Sequence, residues 1–132
     1  MAYALYVVVK LVCYIAWCWL GVWLWQPPSA RLTKAIGFGI LRLVVGLVFG
    51  TLIFFIVRVQ PGEVLWKYIA IYSPVRLVEW LILAAIIARG SDKRTARATI
   101  LWCIGGILVS FGADFASPEG LAGHFCIGRC LC

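Results

Sequence analysis

Four stretches of the chain carry almost nothing but apolar side chains, and three short connectors separate them. The stretches run over residues 3-25, 35-57, 66-88 and 98-116. A helix rises about 1.5 Å per residue, so roughly 20 residues cross the hydrocarbon core of a bilayer, and each stretch has that length. The connectors are punctuated like turns. Gln26–Lys34 holds Pro27 and Pro28, which stop a helix. Arg58–Leu65 holds Pro61-Gly62, a turn signal. Arg89–Arg97 offers Gly90 for a helix C-terminus and Ser91 or Asp92 as an N-cap. Connectors this short make successive helices antiparallel neighbours. The pattern predicts an all-α fold: a polytopic integral membrane protein whose four transmembrane helices form one antiparallel bundle over residues 1-116. A short Cys-rich tail over residues 117-132 follows. The first stretch lacks a basic leader and an A-x-A-like site, so it reads as a mature helix rather than a signal peptide.

Each stretch also has one face that is smaller or more polar than the rest. Gly39, Arg42, Gly46 and Gly50 align on the second helix, and Gly46 and Gly50 form a G-x-x-x-G. Cys103, Gly106, Ser110 and Asp114 align on the fourth. Tyr6, Lys10, Tyr14, Trp17 and Gly21 align on the first, and Tyr72, Arg76, Glu79 and Leu83 on the third. Small residues let helices approach closely, and buried polar groups hold them together. Gly39, Gly46, Gly50, Gly106 and Ser110 are therefore the predicted packing positions.

Composition supports the membrane setting. The chain is 64% hydrophobic, with a mean hydropathy of +1.03, whereas soluble domains are about 45–50% apolar. The net charge of +7 would suggest nucleic acid in a soluble protein. Here it reads as membrane topology, with no nucleic-acid partner. Arg31, Lys34, Arg89, Lys93, Arg94 and Arg97 lie in the first and third connectors; Arg58, Lys67 and Arg129 belong to the other side. Lys and Arg mark cytoplasmic loops. That places loops 26-34 and 89-97 in the cytoplasm and both termini outside, in a bacterial inner (plasma) membrane.

Besides Lys67 at the edge of the third stretch, five ionisable residues fall inside the stretches: Lys10, Arg42, Arg76, Glu79 and Asp114. Each costs about 2.5–3.5 kcal/mol or more if left alone at the bilayer centre. Matching their depths predicts two ion pairs, Lys10 with Asp114 and Arg42 with Glu79. Arg76 is left over. It sits one turn from Glu79 and can share that carboxylate locally. Otherwise Arg76, with Tyr72 on the same face, is a candidate site for an anion, a lipid or a partner chain.

The seven tryptophans divide by position. Trp23, Trp25, Trp66 and Trp102 lie near stretch ends and fit an interfacial belt. Trp17, Trp19 and Trp80 lie deeper, facing lipid, protein, or a bound pigment or quinone. In the tail, Cys126, Cys130 and Cys132 suggest one disulfide with one thiol left over. His124 adds a ligand type there, but the spacing matches no standard metal site, and no metal is assigned.

H-E-x-x-H, Walker and G-x-S-x-G motifs are absent from the sequence, and no carboxylate pair is placed for hydrolysis. The chain is expected to be no enzyme and to need no cofactor, with bound lipid or pigment as the candidate companion. Its expected function is that of a small accessory subunit of a larger membrane complex, packed against other membrane subunits and lipids and not acting as a lone monomer. The alternative is a homo-oligomeric transporter or flippase for an anionic substrate, using Arg76, Arg42 and Glu79.

Overall fold

The computed structural model describes residues 2–57 and 65–117. The disulfide expected among Cys126, Cys130 and Cys132 lies outside the described residues. Four helices account for nearly all of the described chain: α1 (Ala2–Trp25), α2 (Arg31–Val57), α3 (Leu65–Ile87) and α4 (Ala96–Phe115). Among the described residues there is no strand. All four helices are long and apolar enough to cross a membrane.

The helices match the apolar stretches, and the differences have local causes. Helix α2 begins four residues before the apolar stretch does. Its first turn bonds through the backbone, with the Lys34 amide donating to the Ala30 carbonyl at 3.0 Å, and this needs no apolar side chain. Ala30 stands just before it at a φ of 53°, the left-handed region. Helix α4 begins at Ala96, and its cap is Thr95 rather than Ser91 or Asp92. Thr95 is extended, and its Oγ1 accepts from the Ala98 amide. Ser91 is used inside the connector instead, where its hydroxyl accepts from the Lys93 amide. Gly90 has a φ of 76°, so it takes the left-handed position after α3. Pro74 lies inside α3, which continues through it.

Helix α1 packs against the other three. Helix α3 also packs against α2 and α4, while α2 and α4 do not meet among the described residues. The centre is thus shared by α1 and α3, and there the polar faces converge. The main core joins Tyr14, Cys18 and Val22 of α1 to Trp80 and Leu83 of α3 and to Trp102 of α4. The Gln26 side-chain amide donates to the Ile87 carbonyl at 2.9 Å, tying the first connector to the end of α3.

Glycine placement explains the closest approaches. A Cβ on Gly39 would lie 2.5 Å from Ile15 Cγ1 and 3.0 Å from its Cα, so α1 rests almost on the α2 backbone. A Cβ on Gly106 would lie 2.5 Å from the Trp80 indole. Gly50 is buried. Gly46 differs from the other predicted packing positions: the group beside it is the guanidinium of Arg42 on its own helix. Gly105, not singled out by the pattern, makes room for Trp17 in the same way.

Candidate functional site

The polar faces meet in two clusters. The first is built on Asp114, in the last turn of α4. Its Oδ1 accepts from Lys10 Nζ at 2.7 Å and from the Tyr6 hydroxyl at 2.8 Å. Its Oδ2 accepts from the Tyr68 hydroxyl at 2.5 Å and from Arg76 Nη2. Lys10 also donates to the Tyr6 oxygen at 2.8 Å, and Arg76 Nη2 to the Tyr68 oxygen at 3.0 Å. Four donors from α1 and α3 therefore converge on one carboxylate of α4. Helical periodicity accounts for this: Tyr6 and Lys10 are one turn apart, and Tyr68 and Arg76 are two turns apart on one face. The Arg76 guanidinium lies 4.1 Å from the Phe111 ring centre and 5.8 Å from that of Tyr72.

Arg76 therefore has its anion within the chain. The expectation that it would be left over, or would share Glu79, is corrected: it pairs with Asp114. Matching charges one to one hid this, because a carboxylate has two oxygens and can hold a cation on each. Lys10 and Arg76 together still outnumber Asp114, so at their usual charges the cluster carries one excess positive charge.

The second cluster is one-to-one. Arg42 Nη2 lies 2.6 Å from Glu79 Oε2, and both side chains are almost fully buried. The guanidinium sits 4.9 Å from the ring centre of Tyr14 and 4.9 Å from that of Trp80, in the corner that these two nearly perpendicular rings make. Arg42 Nε and Nη1 have no hydrogen-bond partner among the described residues. The negative faces of the rings attract the cation, although those N–H groups keep no acceptor among the described residues. Gly46 leaves room for Nη1. Trp80 is in turn fixed by its indole N–H, which donates to the Ser110 hydroxyl at 3.1 Å.

Around this second cluster the tryptophans assemble. Trp102 stacks on Trp17 with ring centres 6.5 Å apart, and meets Trp25 and Trp80 edge-on at 5.3 and 5.2 Å. The Trp17 indole N–H donates to the Trp102 carbonyl at 3.1 Å. Trp25 and Trp102 were expected in an interfacial belt, and both are buried in the core. Trp23 and Trp66 are exposed, as is Trp19 on the opposite side of α1 from Trp17. The signal for Trp102 was present, since it stands one turn before Gly106 and two before Ser110 on the small face of α4. Tyr68 was equally findable, two turns before Arg76.

Chemically, the clusters gather hydrogen-bond donors and positive charge in the bundle interior. The two carboxylates are engaged by cations. No protein-family model, no curated protein and no solved structure matches the chain.

Proposed function

We propose that the chain is a non-catalytic accessory subunit of a larger complex in a bacterial inner membrane. The helices cross the bilayer in alternating directions, with both termini outside and the basic connectors in the cytoplasm. The Gln26–Ile87 hydrogen bond supports this topology because it brings the two basic connectors together. The meeting of Tyr6, Tyr68 and Asp114 supports it too, because it joins the starts of α1 and α3 to the end of α4.

One observation carries the accessory reading. The five ionisable side chains deep in the helices, Lys10, Arg42, Arg76, Glu79 and Asp114, are all paired inside the chain, whereas Arg31, Lys34, Lys67 and Arg97 stand in the first turns. Apart from Lys67 and Arg97 in the first turns of α3 and α4, the large side chains exposed on the helices are apolar, among them Leu5, Val12 and Trp19 on α1 and Ile40, Val44 and Val48 on α2. Charges locked into fixed pairs suit a bundle that holds a shape, and an apolar exterior suits lipid, pigment or partner helices. The test is gentle extraction of a tagged chain from its native membrane. Co-migration with larger membrane subunits at fixed stoichiometry is the expected result; a chain that migrates alone would overturn it.

The rival reading is a homo-oligomeric transporter of an anionic substrate through Arg76, Arg42 and Glu79. It draws on the buried N–H groups of Arg42 and on Arg76 Nη1, which lack partners among the described residues. It requires a lone oligomer in the same extraction and anion movement across reconstituted vesicles.

A further inference from the structure

The Asp114 cluster has one more positive charge than negative, and it also has unused donors. Arg76 is more than nine-tenths buried, yet its Nη1 has no hydrogen-bond partner among the described residues. Lys10 has three N–H groups, and the contacts to Tyr6 and Asp114 occupy two of them. An unmet donor costs more in hydrocarbon than in water, and a charged one costs most. One oxyanion would supply both the missing charge and the missing acceptors.

The level of the cluster indicates which oxyanion. Tyr6 is the fifth residue of α1, Tyr68 the fourth of α3, and Asp114 the next-to-last of α4. At about 1.5 Å per residue these lie within roughly 6 Å of the helix ends. Lys10 starts a turn deeper and reaches back toward that level, as helical side chains do. Its side chain is 13% exposed and forms the accessible edge of the cluster. Headgroup phosphates lie at this depth. A phosphodiester carries a single negative charge, equal to the excess, and presents the oxygens that an arginine fork binds best.

We propose that the Asp114 cluster binds one phosphate oxyanion, the phosphodiester of a membrane lipid, through Lys10 and Arg76. The inference rests on the membrane-spanning reading but not on the existence of partner subunits. It is tested on the purified chain alone, so its failure leaves the extraction experiment untouched.

The chain is purified in a neutral maltoside detergent in phosphate-free buffer, and its melting temperature is followed. Phosphatidylglycerol in mixed micelles is added to one arm and inorganic phosphate to the other. The expected result is a rise in Tm of roughly 5 °C at saturating lipid. Arg76→Lys, which keeps a cation for Asp114 but loses the second amino group, should lose most of that rise. Exchanging the exposed Lys93 and Arg94 for glutamine should leave it intact, which separates this site from headgroup contacts at the basic connectors. A rise with inorganic phosphate alone, again lost in Arg76→Lys, would keep the oxyanion site but overturn the lipid as its source. No rise in either arm, or an Arg76→Lys response equal to the parent's, would overturn the proposal. Should Arg76→Lys not fold, Lys10→Gln is read by the same criterion.

Discussion

The two buried charge clusters solve the same problem by different means. Around Asp114, hydroxyls and cations converge on a single carboxylate, and each of its oxygens is hydrogen-bonded. Around Arg42, a single carboxylate takes one amino group of the guanidinium, and two aromatic rings set at right angles flank the cation. The first cluster is centred on an anion and recruits donors from two other helices. The second is centred on a cation and is insulated by π-systems. The difference teaches that a charge in an apolar bundle can be held by a hydrogen-bonded network or by one partner beside an aromatic corner, and the two should fail differently.

The largest effect is expected from Asp114→Asn. It leaves two buried cations without their acid, and removing one partner of a buried ion pair costs about 3–5 kcal/mol. A loss at or above the top of that range is expected in unfolding by SDS titration from mixed micelles. Glu79→Gln strands only one cation, and the rings still flank it. A loss of about 3 kcal/mol is expected in the same titration. Equal losses for the two variants would mean that the aromatic corner contributes nothing.

Gly106→Ala tests the aromatic corner, because the new methyl group would push on the Trp80 indole. Overpacking of this kind costs about 1–3 kcal/mol. Gly112→Ala is the control: nothing lies within 4 Å of its added Cβ, so helix propensity should make it neutral or slightly stabilising, by up to about 1 kcal/mol. The smallest loss belongs to Tyr6→Phe. It removes one donor from a carboxylate that keeps three others, for about 1 kcal/mol in the same unfolding assay. A loss as large as that of Asp114→Asn would show that the hydroxyl, not the cations, holds the network.

Much of this was legible in the sequence. Long apolar stretches define the helices because chain length and hydropathy alone decide what can span a bilayer. Helix starts were less legible, since capping at Thr95 and the first turn at Arg31 depend on backbone bonds rather than apolar content. The polar stripes pointed to the residues that meet, because helical periodicity fixes which side chains share a face. Two things escaped. One-to-one matching left Arg76 without an acid, since sequence depth does not reveal that one carboxylate serves two cations. Position near a stretch end assigned Trp25 and Trp102 to an interface, whereas the face of the helix, not its depth, decides burial. The fit of Trp17 over Gly105 needs the relative rotation of α1 and α4, and no single-helix pattern contains that.

The carboxylate at Asp114 also sets a schedule for biogenesis. Lys10 is synthesised 104 residues before its acid, and Arg76 38 residues before it. Until α4 emerges from the ribosome, both cations stand in a nascent bundle with no acid from that helix. Packing of α4 is then the event that gives both cations their acid. Docking of α4 is thus the step that closes the network around one carboxylate.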